Sequence, residues 1–166
     1  IATPAIAGRD RVLEQQRAEL TRLELPESEH QERVVLQERI LDAVVGDGSW
    51  ENVPANLRRQ ADTAWFRSFL DFEPSEVVRR VRQPLLLLHG ELDQQVPPYH
   101  ADRLEEMARG RRHRQASVEV MKLAGINHLL VPATTDSLDE YAGLTDAQVA
   151  PQVVEVLTDW IRRSLP

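Results

Sequence analysis

Four consecutive leucines, Leu85–Leu88, stand between Gln83-Pro84 and His89-Gly90, and they limit the possible folds more than any other stretch. An unbroken apolar run of this length, closed by glycine, suits a strand buried on both faces, as in a parallel sheet covered by helices. Downstream, Pro98–Arg109 reads as a helix with Leu104, Met107 and Ala108 turned inward. Ser117–Leu123 reads as a second strand. Strand, helix and strand within about 40 residues make a right-handed βαβ unit. The leucine strand asks for a neighbour on each edge, and this stretch supplies one. The remaining strands are therefore expected from a longer polypeptide or from a second copy of the chain.

The preceding half carries helical periodicity. Arg9–Leu23 and Glu27–Val45 are two amphipathic segments separated by Pro26, and Gly46–Gly48 ends the second. A third helix is expected over Pro54–Leu70 and a fourth over Pro74–Val81, where proline is tolerated in the first turn. The last helix is expected over Pro151–Arg163, with Val153, Leu157, Trp160 and Ile161 on one face. Thr145 and Gln148 are spaced as a capping box just before it. Two zones result, a helical one over residues 1–82 and an alternating strand–helix one over residues 83–166.

Two side chains in the second zone carry chemistry. Asp93 follows the leucine strand in Gly90-Glu91-Leu92-Asp93-Gln94-Gln95-Val96-Pro97, and His128 follows the second strand in Gly125-Ile126-Asn127-His128. An acid and a histidine so placed can form the pair that activates a serine hydroxyl: the imidazole accepts its proton and the carboxylate orients the ring. These segments resemble the C-terminal part of the α/β-hydrolase family, in its strand–Gly-x-x-Asp-x-x-Val-Pro and Gly-x-x-His loops. Trp65 to Pro74 is similar to the lead-in of bacterial esterases and serine aminopeptidase-like hydrolases. The resemblance implies an α/β fold portion with a helical lid over 1–82 and Asp93 and His128 as triad acid and base. It also implies an ester or peptide substrate cleaved through an acyl-enzyme, and neither metal nor organic cofactor.

The family's Gly-x-Ser-x-Gly elbow is absent. No two of the seven glycines are four residues apart, and no serine has small residues at both flanking positions. Its nucleophile, and the backbone oxyanion donor just after it, are thus expected outside this sequence, leaving this chain inactive by itself. Association as a homodimer, or with a missing N-terminal half, is expected to cover the open edge of the leucine strand.

Composition narrows the alternatives. The net charge of −7 over 166 residues argues against broad nucleic-acid binding and against anionic membrane surfaces. Cysteine is absent, which removes thiolate chemistry and disulfides. His30, His100 and His113 show no metal-ligand spacing, and His89, at the end of a buried strand, reads as packed. Asn127 reads as shaping the histidine loop. Arg109-Gly110-Arg111-Arg112-His113-Arg114 reads as a solvated loop between helix and strand, with anion contact as the minor reading. Trp65, Phe66 and Phe69 either pack in a core or line an acyl pocket. A competing function is a helical interaction module with a βαβ appendage and no catalysis. No compartment is indicated.

Overall fold

The computed structural model describes residues 3–113, 116–143 and 148–164. The chain is mixed α/β and divides into two units, Ile6–Glu73 and Pro74–Pro166, the latter joined by Ile1–Ala5. The division falls earlier than the expected boundary after residue 82. The reason is the short helix Pro74–Val78, whose contacts are with the sheet unit.

The helical unit holds α1 (Gly8–Arg22), α2 (Glu27–Val45), α3 (Ala55–Ala61) and α4 (Ala64–Leu70). Its core is Ile40, Leu41, Val44, Ala61 and Leu70, with Leu36, Leu57, Phe66 and Phe69 packed around them. Gly46 ends α2 in the left-handed region at φ 95°, where its N–H donates to Asp42 O. The single helix expected over Pro54–Leu70 is two helices. Asp62 leaves helical geometry at ψ 66°, and Thr63 Oγ1 accepts the Phe66 N–H at 3.1 Å to start α4. A hydroxyl that satisfies an orphan N–H favours a new helix start over continuation.

The second unit holds α5 (Pro74–Val78), β1 (Leu85–Gly90), α6 (Tyr99–Arg109), β2 (Val118–Leu123), α7 (Leu138–Ala142) and α8 (Pro151–Ser164). β1 and β2 pair in parallel, with Leu85 opposite Val118 and Gly90 opposite Leu123. The core gathers Leu88, Leu123, Ile126, Ala150 and Val153. His100 Nδ1, fully buried in α6, accepts the Ala5 N–H at 3.0 Å and ties the first residues to this unit.

One further expectation changes here. The fourth helix ends at Val78, short of Val81. In α8 only Val153 of the apolar face is fully buried, while Leu157 and Ile161 are 38% and 45% exposed. Those two side chains, with Leu85, Leu87, Leu104 and Ala108, line an apolar groove of about 470 Å3. The cause is the two-stranded sheet, which is too narrow to bury the leucine run and the full width of α8. The Thr145–Gln148 capping box lies partly outside the described residues. A cap does form at Ser137, whose Oγ accepts the Glu140 N–H at 3.2 Å to open α7. Among the described residues, no helix is long and apolar enough to cross a membrane.

Candidate active site

The two loops that leave the C-terminal ends of β1 and β2 lie against each other because of Gly90. A Cβ built there would stand 2.4 Å from Ile126 O and 2.7 Å from Asn127 O, so only glycine lets the histidine loop pass this close. Backbone bonds then lace the loops together. Glu91 N donates to Leu123 O and Leu92 N to Ile126 O, both at 3.0 Å. Gly125 turns the second loop in the left-handed region at φ 70°.

Asp93 sits fully buried in this seam, and its two oxygens divide between two partners. Oδ1 accepts the Val96 N–H at 2.7 Å, closing the turn that Asp93 itself begins. Oδ2 lies 3.0 Å from His128 Nδ1. A carboxylate facing that nitrogen selects the tautomer with the proton on Nδ1, which donates to Oδ2. The sequence separation of 35 residues is thereby closed to hydrogen-bond length. The His128 side chain keeps 29% exposure, so it spans the buried acid and the surface.

His89 is buried beside the pair. Its Nε2 is 2.7 Å from Val96 O, which can only accept, so Nε2 carries the proton. The same nitrogen is 3.5 Å from Asp93 Oδ2, a longer and secondary approach. His89 therefore braces the acid turn. Asn127, also fully buried, shapes the histidine loop: its Oδ1 accepts the N–H groups of Leu129 at 3.0 Å and Val131 at 3.3 Å.

Asp136 was not legible as part of the site, yet it binds both loops at once. Its Oδ2 accepts the N–H groups of Gln94 at 2.8 Å and Gln95 at 3.3 Å, and Oδ1 accepts the His128 N–H at 3.1 Å. The Tyr141 hydroxyl donates to the same Oδ1, and Gln95 Nε2 donates to that hydroxyl at 3.0 Å. Buried at 5% exposure, Asp136 fixes the backbones on either side of the Asp93–His128 contact. Burial, then the bond to Asp136, pushes the Tyr141 hydroxyl up from 10.0 to about 12. A raised folded-state value means that the neutral phenol's contribution to stability is complete below pH 10.0 and is lost as pH rises through about 12. Beside it, Glu140 accepts the Thr134 N–H, the Thr135 hydroxyl and the Thr135 N–H, and these bonds, Thr134 foremost, lower its pKa.

Phe66 and Phe69 pack against the core of the helical unit, whereas Trp65, stacked on both at ring distances of 6.3 and 5.8 Å, is 73% exposed. The basic loop after α6 is not uniformly solvated: Arg111 is buried, and its guanidinium donates to Gln83 O at 3.0 Å and Ala116 O at 2.6 Å. Among the described residues, no group of three or more His, Asp or Glu is arranged to hold a metal ion. No protein-family model matches the chain, and no curated protein matches it either.

Proposed function

We propose that this chain supplies the acid and the base of a serine hydrolase of the α/β-hydrolase type, acting on ester or peptide bonds through an acyl-enzyme. The carrying observation is the 3.0 Å contact between His128 Nδ1 and the buried Asp93 Oδ2. In this reading Nε2 takes the proton from an attacking serine hydroxyl and returns it to the leaving group. Asp93 holds the ring in the tautomer that makes Nε2 basic and stabilises the imidazolium once it forms. The nucleophile and its oxyanion donors come from outside these 166 residues, since no elbow pattern occurs within them. The part that the family resemblance gives to residues 1–82 is that of a lid. No metal or organic cofactor enters the scheme.

The test is a fluorophosphonate serine probe applied to this chain and to the longer polypeptide that would carry it. The expected result is labelling of the longer protein alone. A labelled 166-residue chain would place a reactive serine within it and overturn the division of labour proposed here.

For the apolar groove along β1 and α8 we propose a second copy of the chain as partner, in a homodimer that covers the leucine side chains and the strand edge that has no partner strand among the described residues. Light scattering at micromolar concentration should report twice the chain mass; a monomer there contradicts the dimer.

One observation favours the non-catalytic reading. The helical unit has its own core and a cleft of about 570 Å3 between α1 and α2, lined by Val12, Leu20, Leu36, Ile40 and Leu57. That reading requires residues 6–73 to bind a partner unaided, with Asp93 and His128 dispensable. Full partner binding after Asp93→Asn, together with no turnover in any longer polypeptide, would favour it over the hydrolase.

A further inference from the structure

We infer that a basic cleft in the sheet unit, lined by Arg79, Arg80, Arg82, Arg112, His113 and Glu76, binds a small soluble ligand carrying two or more linked phosphate groups. Four guanidiniums face one carboxylate, a local balance of three positive charges in a chain whose net charge is −7. Glu76 is shared between Arg79 at 3.1 Å and Arg80 at 3.6 Å. The side chains of Arg82, Arg112 and His113 have no ion-pair or hydrogen-bond partner among the described residues.

The convergence is built by a buried residue. Arg82 and Arg112 are far apart in sequence, and the Arg111 guanidinium brings them together by holding the backbone of Gln83 on one side and of Ala116 and Ser117 on the other. With Arg111 turned inward, its neighbour Arg112 is left to face the cleft beside Arg82. A concave surface of one sign focuses its field on whatever enters it. Guanidiniums match phosphate oxygens in planar, paired hydrogen bonds, which is why arginine is favoured over lysine for such anions. The cleft volume of about 400 Å3 suits a small molecule. The net charge of −7 opposes a long nucleic acid or an anionic bilayer, so a compact soluble polyanion is the occupant that fits.

Isothermal titration of this chain with inorganic tripolyphosphate and with orthophosphate tests the inference. Tripolyphosphate should bind at least roughly tenfold tighter than orthophosphate, and should weaken several-fold as salt screens the arginines. The double change Arg82→Gln and Arg112→Gln, both exposed and outside the core, should weaken tripolyphosphate by about tenfold or more. Glu76→Gln should tighten it about threefold by releasing Arg79 and Arg80, whereas Glu155→Gln on the exposed face of α8, with the same change in net charge, should leave it unaltered. Absence of saturable tripolyphosphate binding overturns the inference, and so does an equal effect of Glu76→Gln and Glu155→Gln. Capture by phosphoinositide-containing vesicles without binding of tripolyphosphate would overturn the soluble ligand as well.

Discussion

Ester turnover by a polypeptide carrying this chain and its nucleophile is expected to fall about 10⁴-fold when His128 becomes alanine, with KM little changed. The alanine removes the only group proposed to accept the serine proton, and that interaction exists in the transition state far more than in the bound ground state. Asp93→Asn should cost a similar factor through a different route. Asp93 uses both oxygens as acceptors, one for Val96 N–H and one for His128 Nδ1–H. An amide has one acceptor oxygen and presents N–H₂ in place of the other. If the oxygen stays with Val96, the amide nitrogen faces His128 Nδ1 and selects the opposite tautomer, which puts the proton on Nε2 where the base is needed. Steady-state kinetics on a chromogenic ester would measure both variants. Turnover within about tenfold of the parent for either would remove that residue from the machinery.

Gly90→Ala is expected to be the most damaging single-methyl change in the site. The added carbon would meet three backbone atoms, Ile126 O at 2.4 Å, Asn127 O at 2.7 Å and Ile126 C at 2.8 Å. Backbone cannot rotate away as a side chain does, so the two loops must separate. Overpacking of this kind costs about 3 kcal/mol or more. Separation would also stretch the Leu92 N to Ile126 O bond and move His128 away from Asp93. Gly110→Ala serves as the control, since a Cβ at that α6 terminus meets nothing closer than Glu106 O at 3.4 Å. There the alanine should be neutral or stabilise by about 0.5 kcal/mol through the unfolded chain. Urea unfolding of the two variants gives the comparison, and equal midpoints would contradict the close-approach argument.

The residues differ in how plainly the sequence announces them. Asp93 and His128 are legible because each sits a fixed few residues beyond a strand, and a parallel pair of strands delivers both to the same end of the sheet. Helices α1 and α2 follow the apolar periodicity closely, since glycine and proline punctuate them. The break at Asp62-Thr63 had a local signal, a threonine three residues before Phe66, which a helix reading over Pro54–Leu70 passes over. Asp136 had none of comparable strength. Its partners Gln94 and Gln95 are 42 and 41 residues away, and an acid within Thr134-Thr135-Asp136-Ser137 looks like loop polarity until the fold brings those N–H groups to it. Arg111 was hidden for a related reason. Its sequence neighbours are basic and solvated, whereas its burial is set by the carbonyls of Gln83, Ala116 and Ser117, which need a donor. The exposed Leu157 and Ile161 of α8 mark the opposite case, where the periodicity describes a face correctly but the sheet is too narrow to cover it.

The most direct measurement is a ¹⁵N–¹H spectrum of the imidazole side chains in this chain and in its Asp93→Asn variant. His128 is expected to hold its proton on Nδ1 in the parent and to switch to Nε2 in the variant, while His89, donating from Nε2 to Val96 O, keeps its tautomer. A His128 ring that shows the same tautomer mixture in both proteins would mean that the carboxyl group does not govern the imidazole.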